Sequence, residues 1–215
     1  MQSFWNERFA APGYKYGTAP NAFLVEQAAT WPAQQTVLAV GDGEGRNGVW
    51  LAEQGHQVLA VDYAQAGLDK ALALAQQHGV PNNRYCTLCA DLATWQPAPE
   101  SAEAVVLIYC HLASALRRPA HRHLARSLKP GGMLVLEAFH PLQKGRPSGG
   151  PQDVDMLYTL VDLRADFAGV LEEVLGWEGE VLLDEGPGHQ GHGWVTRWTG
   201  RRADPRASLT LLNRH

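Results

Sequence analysis

No run of apolar residues in this chain approaches the roughly 20 that a membrane-spanning helix needs. The first eight residues carry Trp5 and Glu7 where a secretory signal would place a basic patch and an apolar stretch, so a cytoplasmic protein with no membrane partner is expected. Cysteine is also sparse. Cys86, Cys89 and Cys110 leave one thiol over in any disulfide scheme, which suits a reducing compartment. Cys86 and Cys89 have C-x-x-C spacing but no second pair to complete a zinc site, and they are read as buried strand thiols. Positive charge is not in excess either: 18 Lys and Arg against 22 Asp and Glu give a net charge of -4 and a pI near 6.1. Displacing counterions from a phosphate backbone needs a concentrated basic surface, so no nucleic-acid partner is expected. The short clusters Arg117-Arg118 and Arg201-Arg202 are read as solvated faces.

Repeats and long linkers are absent, and 215 residues with 45% hydrophobic and 19% charged side chains suffice for one well-filled core. The expected layout is a single domain over residues 1–204, with an amino-terminal segment to residue 35, a core from 36 to 202, and a loosely held polar tail over 205–215. Short β-branched runs alternate with helical patterns, which argues for βαβ units and a parallel sheet. Strands are expected at Val37–Val40, Gln57–Val61, Arg84–Cys89, Ala104–Tyr109 and Met133–Phe139. Helices are expected from about Arg46, over a stripe of Leu68, Ala71, Leu72 and Ala75, from Pro119 to Leu128, and from Val161 to Phe167 with Thr159 as cap. Gln143–Asp153, rich in Gly and Pro, reads as a mobile surface loop. Leu171–Asp184 and His192–Arg201 are joined by too few residues for a crossover helix, so they are expected to run antiparallel.

The chemistry centres on Gly41-Asp42-Gly43-Glu44-Gly45, which lies between the first strand and the following helix, where backbone N–H groups can approach a ligand closely. Gly43-x-Gly45-x-x-Gly48 also satisfies the dinucleotide fingerprint, which keeps a nicotinamide-dependent oxidoreductase open as an alternative. In either case Asp62, ending the second strand, would accept hydrogen bonds from ribose hydroxyls. Asp42 and Glu44 disfavour a pyrophosphate beside the loop more than a zwitterionic group.

Further segments arrive in a set order. Val40-Gly41-Asp42-Gly43-Glu44-Gly45-Arg46-Asn47, Val61-Asp62-Tyr63, Cys89-Ala90-Asp91-Leu92 and Leu128-Lys129-Pro130-Gly131-Gly132, followed by the reversed hairpin, resemble the class I S-adenosylmethionine-dependent methyltransferases. Gly45-Arg46-Asn47, with Phe4-Trp5-Asn6-Glu7-Arg8-Phe9 and Tyr16–Asn21, is similar to the tellurite-resistance and thiopurine branch. The resemblance covers residues 36–202. It implies a Rossmann-like three-layer sandwich whose mostly parallel seven-stranded sheet ends in an antiparallel hairpin. It also implies S-adenosylmethionine held by Gly41, Asp42, Gly43, Gly45, Arg46, Asn47, Asp62, Tyr63, Asp91, Leu92 and Tyr109. The acid that usually stands two positions before the first glycine is Ala39 here, so Asp42 or the amino-terminal segment is expected to grip the methionine ammonium.

Methyl transfer is an in-line displacement that needs an aligned nucleophile and exclusion of water. A thiolate or chalcogen oxyanion needs little else, whereas a hydroxyl needs a base. His111 and His140, at the ends of the fourth and fifth strands, are the candidate bases. Trp5, Tyr16 and His189 are candidates for a lid or for acceptor contacts. His189 and His192 lack a full ligand set, so no metal is expected. The expected acceptor is a small molecule, bound by a monomer or homodimer; a cofactor-binding module without turnover is the other alternative.

Overall fold

The computed structural model describes residues 2–206. Helices α1 (Gln2–Ala10) and α2 (Ala22–Ala28) precede β1 (Thr36–Val40), α3 (Arg46–Glu53), β2 (Gln57–Asp62), α4 (Gln65–Gln77), β3 (Tyr85–Cys89) and β4 (Ala102–Ile108). Then come α5 (Ser114–Arg126), β5 (Leu128–Phe139), α6 (Leu160–Phe167), β6 (Glu172–Glu185) and β7 (His189–Arg201). The expected tail over 205–215 lies outside the described residues from 207 onward.

The seven strands form one sheet in the order β3-β2-β1-β4-β5-β7-β6. The first five are parallel neighbours, and β7 runs antiparallel to both β5 and β6. Period-two alternation divides the strand residues between two cores. Val37, Ala39, Val58, Ala60, Ala104, Val106 and Val135 face α2, α3 and α4. Leu38, Val40, Val61, Val105, Leu107, Leu134 and Leu136 face α5 and α6. A parallel sheet covered on both sides needs such continuously apolar strands. Strand order reverses between β1 and β4, so the carboxyl ends of these strands border the crevice where open α/β sheets bind ligands.

Several local expectations shift. α5 begins at Ser114, not Pro119, which lies inside the helix where its ring leaves the Ala115 carbonyl without its usual i+4 partner. The early start is set at a distance: Asp155 Oδ2 accepts the Ser114 N–H at 2.9 Å. On α4 Leu72 is exposed, and Leu74 takes the buried place. Cys86 and Cys89 are exposed on edge strand β3, and three residues apart on a strand they point to opposite faces. Thr159 caps α6 in a reciprocal box with Asp162, as its position suggested.

The segment after β5 is pinned down. Gln143, fully buried, donates to Ser148 Oγ and the Gly149 carbonyl, each at 2.9 Å, and accepts from the Trp194 N–H. Ser148 Oγ donates to the His192 carbonyl at 2.7 Å. One buried amide thus ties a Gly- and Pro-rich stretch to β7, a long-range effect that composition does not reveal.

Candidate active site

At the carboxyl ends of β1, β2 and β4 lies a cavity of about 660 Å³, within the usual range for a small-molecule site. Gly41, Gly43, Asp62, Tyr63, Asp91, Leu92, Tyr109 and Cys110 lie along one side. Trp5, Arg8, Phe9 and Tyr16 from the amino-terminal segment, Gly150–Asp153 and His189 close the other.

The glycine loop is built for close approach. Gly41 and Gly43 have φ of 67° and 54°, the left-handed region that side chains disfavour. A Cβ on Gly41 would stand 2.8 Å from Cys110 Sγ, and one on Gly43 3.1 Å from the Phe9 ring. Gly45 has another task than the expected cofactor contact: it is the N-cap of α3, and its bare Cα packs on Ala71 of α4, away from the cavity wall.

Each acid of the loop region is committed. Asp62 accepts the Gly43 N–H at 3.0 Å and the Ala64 N–H at 2.9 Å, which fixes the loop to β2 while leaving each oxygen a second lone pair. Burial raises its pKa against those bonds. Asp42, also on the cavity wall, accepts from Gly48 N–H at 3.0 Å and from the Tyr85 hydroxyl at 2.8 Å. Burial lifts it to about 6 despite these donors. These two donors tie Asp42 to α3 and β3, so its carboxylate, expected to grip the methionine ammonium in place of the missing β1 acid, already holds the glycine loop together. Glu44 is held by Lys70 Nζ at 2.8 Å and by the Lys15 N–H at 2.7 Å.

Arg46 and Asn47 reach the cavity wall, but their polar atoms organise its cover. Arg46 pairs with Glu185 at 3.1 Å, and Asn47 Oδ1 accepts the Asn21 N–H at 2.9 Å. Asn21 Nδ2 bridges Glu185 and Glu137, at 2.7 Å from each. Glu137, fully buried on β5, also accepts from the Tyr109 hydroxyl at 2.7 Å and pairs with Arg197. The amino-terminal segment is thereby locked to the tip of the β6–β7 hairpin, where Gly188 N–H donates to the Lys15 carbonyl at 2.9 Å. Tyr109 carries a positive φ of 53° at the end of β4, a non-glycine conformation that surrounding structure must enforce.

The histidines separate clearly. His111 lines the cavity, but its Nδ1 faces the Met156 carbonyl at 2.7 Å and its Nε2 accepts the Phe139 N–H at 3.4 Å. Burial lowers its pKa to about 4, so both ring nitrogens are spent on backbone. His140 is not brought to the cavity: Nδ1 accepts from Leu142 N–H at 3.1 Å as a cap, and Nε2 faces Glu178 at 3.7 Å. Neither expected base is free to act as one. His192 is exposed and pairs with Glu180. His189 does reach the site, because β7 starts at the carboxyl end of its antiparallel partner β5; its ring lies 4.5 Å from Tyr16 and 4.6 Å from Tyr109. Among the described residues no group of three His, Cys, Asp or Glu side chains has a metal-holding arrangement.

Sequence reasoning singled out Trp5 in the stretch Phe4–Phe9 but gave Arg8 no role. Its guanidinium lies 5.4 Å from Trp5 and 5.8 Å from Tyr16 over their rings, and its Nε is buried without a partner.

Residues 37–132 match a family described as a methyltransferase domain. That match spans a little under half of the chain. Over 114 residues the chain is 34% identical to the tRNA 5-carboxymethoxyuridine methyltransferase of Escherichia coli K12, a match spanning 51% of this chain and 42% of that protein. Less than half of that relative's length is therefore covered. Among solved structures, an S-adenosylmethionine-dependent methyltransferase of Methanosarcina mazei superposes with a TM-score of 0.67 at 14% identity, covering 86% of this chain and 99% of that one. TehB of Haemophilus influenzae gives 0.67 at 14% identity, over 94% and 66%. These structural likenesses carry the fold: the Rossmann-like class I sheet with its reversed final hairpin. The match to a methyltransferase domain, together with the reversed hairpin of this sheet, disfavours the dinucleotide reading. S-adenosylmethionine is the cofactor of this class, and the glycine cradle, the spare lone pairs of Asp62 and the Arg8 guanidinium on the cavity wall fit it. No described helix is long and apolar enough to cross a membrane.

Proposed function

We propose that this chain transfers the methyl group of S-adenosylmethionine to a small-molecule acceptor. Asp91 and Leu92 read the adenine with Tyr63 beside it, Asp62 holds the ribose hydroxyls, and Gly41 and Gly43 carry the methionine portion toward Tyr109. Arg8 takes the methionine carboxylate, being a cavity cation with no acidic partner among the described residues. The ammonium, without an acid at Ala39, is left to backbone carbonyls. When bound, the cofactor supplies an electrophilic methyl group; the protein aligns the acceptor and keeps water out.

The observation that carries the small-molecule reading is the cover. Three segments, around Arg8 and Tyr16, Gly150–Asp153 and His189, meet over the cavity. The acidic balance argues the same way. A modified RNA base is the second reading, favoured by the tRNA substrate in the name of the E. coli relative.

Titration calorimetry with S-adenosylhomocysteine tests the cofactor assignment, with micromolar binding expected. Labelled methyl transfer to a panel of phenols, thiols, selenite and tellurite is then compared with transfer to bulk tRNA. Label in a small acceptor supports the proposal; label in tRNA alone overturns it in favour of RNA, and binding without any transfer supports a non-catalytic module.

A further inference from the structure

We infer that His189, oriented by Glu185, is a general base facing the acceptor end of the cavity, and that the acceptor atom is the oxygen of an aromatic hydroxyl. This rests on the methyltransferase reading above and deepens it. His189 Nδ1 lies 3.3 Å from Glu185 Oε2. An ionised carboxylate only accepts, so Nδ1 carries the proton and Nε2 keeps the lone pair.

Glu185 is held firmly enough to set that tautomer. Its Oε2 also receives Arg46 at 3.1 Å and its Oε1 receives Asn21 Nδ2 at 2.7 Å. Burial works against this carboxylate, yet the His189 and Arg46 hydrogen bonds and charges keep its pKa at about 2. The arrangement is the nucleophile-activating logic of a base oriented by a third group.

Nε2 has no hydrogen-bond partner among the described residues, and the ring lines the cavity. Tyr16, Tyr109 and Phe139 surround it at ring separations of 4.5, 4.6 and 5.1 Å. With Trp5 and Phe9 nearby, these walls suit a flat aromatic acceptor more than a hydrated ion. A thiolate or chalcogen oxyanion has no need of a base, whereas a phenol near pKa 10 has.

The step balances within these groups. His189 Nε2 takes the hydroxyl proton as the acceptor oxygen forms its bond to the methyl carbon; the electron pair of the broken carbon–sulfur bond goes to sulfur. The imidazolium returns its proton to water when product leaves. Charged and titratable groups facing His189 are Glu185 on β6, Arg46 on α3 and Glu137 on β5, with Tyr16, Tyr109 and His111 packed near it. Burial lowers the His189 pKa against the pull of Glu185, which keeps the ring neutral and basic near pH 7.

The test pairs a phenol with the thiophenol of the same ring, using the 215-residue chain already shown to bind S-adenosylhomocysteine. Failure of that binding removes the methyltransferase reading, whereas the comparison of the two acceptors tests only the base. His189→Gln is expected to cut kcat for the phenol by roughly 100- to 10,000-fold and to remove the acid limb of its pH profile. Transfer to the thiophenol, ionised at pH 8, should change less than about threefold. In the cofactor-free protein, ¹⁵N shifts should report an Nδ1–H imidazole at pH 7.5, and Glu185→Gln should lower its titration midpoint. Equal loss toward both acceptors, transfer to the thiophenol but not the phenol by the wild type, no transfer to either, or an Nε2–H tautomer would each overturn the inference.

Discussion

The hydroxyl of Tyr85 donates to Asp42 Oδ2 across 2.8 Å, deep inside the protein. The second residue of the glycine loop is thus fastened to the start of β3 and not to a ligand. Burial holds Asp42 near a pKa of 6, above its ordinary 3.8. The folded state therefore binds the proton more tightly than the unfolded state, and stability present below pH 3.8 is lost as pH rises to about 6. The loss is on the order of 3 kcal/mol at 1.36 kcal/mol per unit. Asp42→Asn keeps an acceptor for the Gly48 N–H and lets the Tyr85 hydroxyl accept instead. Urea unfolding between pH 4 and 8 should show the decline in the wild type and a flatter curve, with higher stability at pH 8, in the variant.

Arg8 is expected to bind the one anionic group of the proposed cofactor. Arg8→Gln should weaken S-adenosylhomocysteine by about 10- to 100-fold, the worth of a hydrogen bond to a charged group at 1.5–3 kcal/mol. Adenosine, which lacks the carboxylate, should bind both proteins alike by calorimetry. Equal weakening of both ligands would assign Arg8 to shaping the helix and not to the carboxylate.

His111 should be silent in catalysis for a stated reason. Its nitrogens sit on the Met156 carbonyl and the Phe139 N–H, and burial takes its pKa from 6.5 to about 4. A lowered histidine pKa means that the unfolded state binds more protons between those values. The stability it contributes is complete above pH 6.5 and is lost as pH falls toward 4, by about 3 kcal/mol. His111→Gln should flatten that acid-side loss in thermal unfolding and leave no change in the pH dependence of methyl transfer above pH 6.

The sheet was legible because its signals are local. Strand periodicity, Gly41 and Gly43 at the first turn, and a connection too short for a crossover each arise from a few neighbouring residues. The site was less so, because its decisive contacts join distant segments. Whether a histidine is free depends on partners such as Met156, 45 positions from His111, and no spacing rule exposes that. The same holds for Arg8, whose significance is the missing partner, and for Pro119, carried inside α5 because Asp155 holds the helix start. Ala39 was a true departure in sequence, and that Asp42, the compensation expected for it, also bonds Tyr85 on β3, 43 positions away, was not legible there.

The cover over the cavity hangs on a contact that tolerates no side chain. A Cβ on Gly188 would overlap the Tyr16 ring and stand 3.1 Å from the Lys15 carbonyl, the acceptor of the Gly188 N–H. The ring cannot simply swing aside, because its other neighbours are His189 and the Arg8 guanidinium. Gly188→Ala should therefore detach the segment around Lys15 from the hairpin while leaving the two sheet cores intact. Trypsin cleavage after Lys15 should accelerate by at least about tenfold, corresponding to roughly 1.4 kcal/mol of lost local protection. S-adenosylhomocysteine should slow cleavage in the wild type and much less in the variant, since a ligand protects only the closed form it binds. An unchanged cleavage rate would mean that the segment is held by the other contacts it makes, the Lys15 N–H on Glu44 and the bridge of Asn21 between Glu137 and Glu185. That bridge anchors residues 19–21 to the sheet but lies beyond Tyr16, so it cannot fix the ring that walls His189.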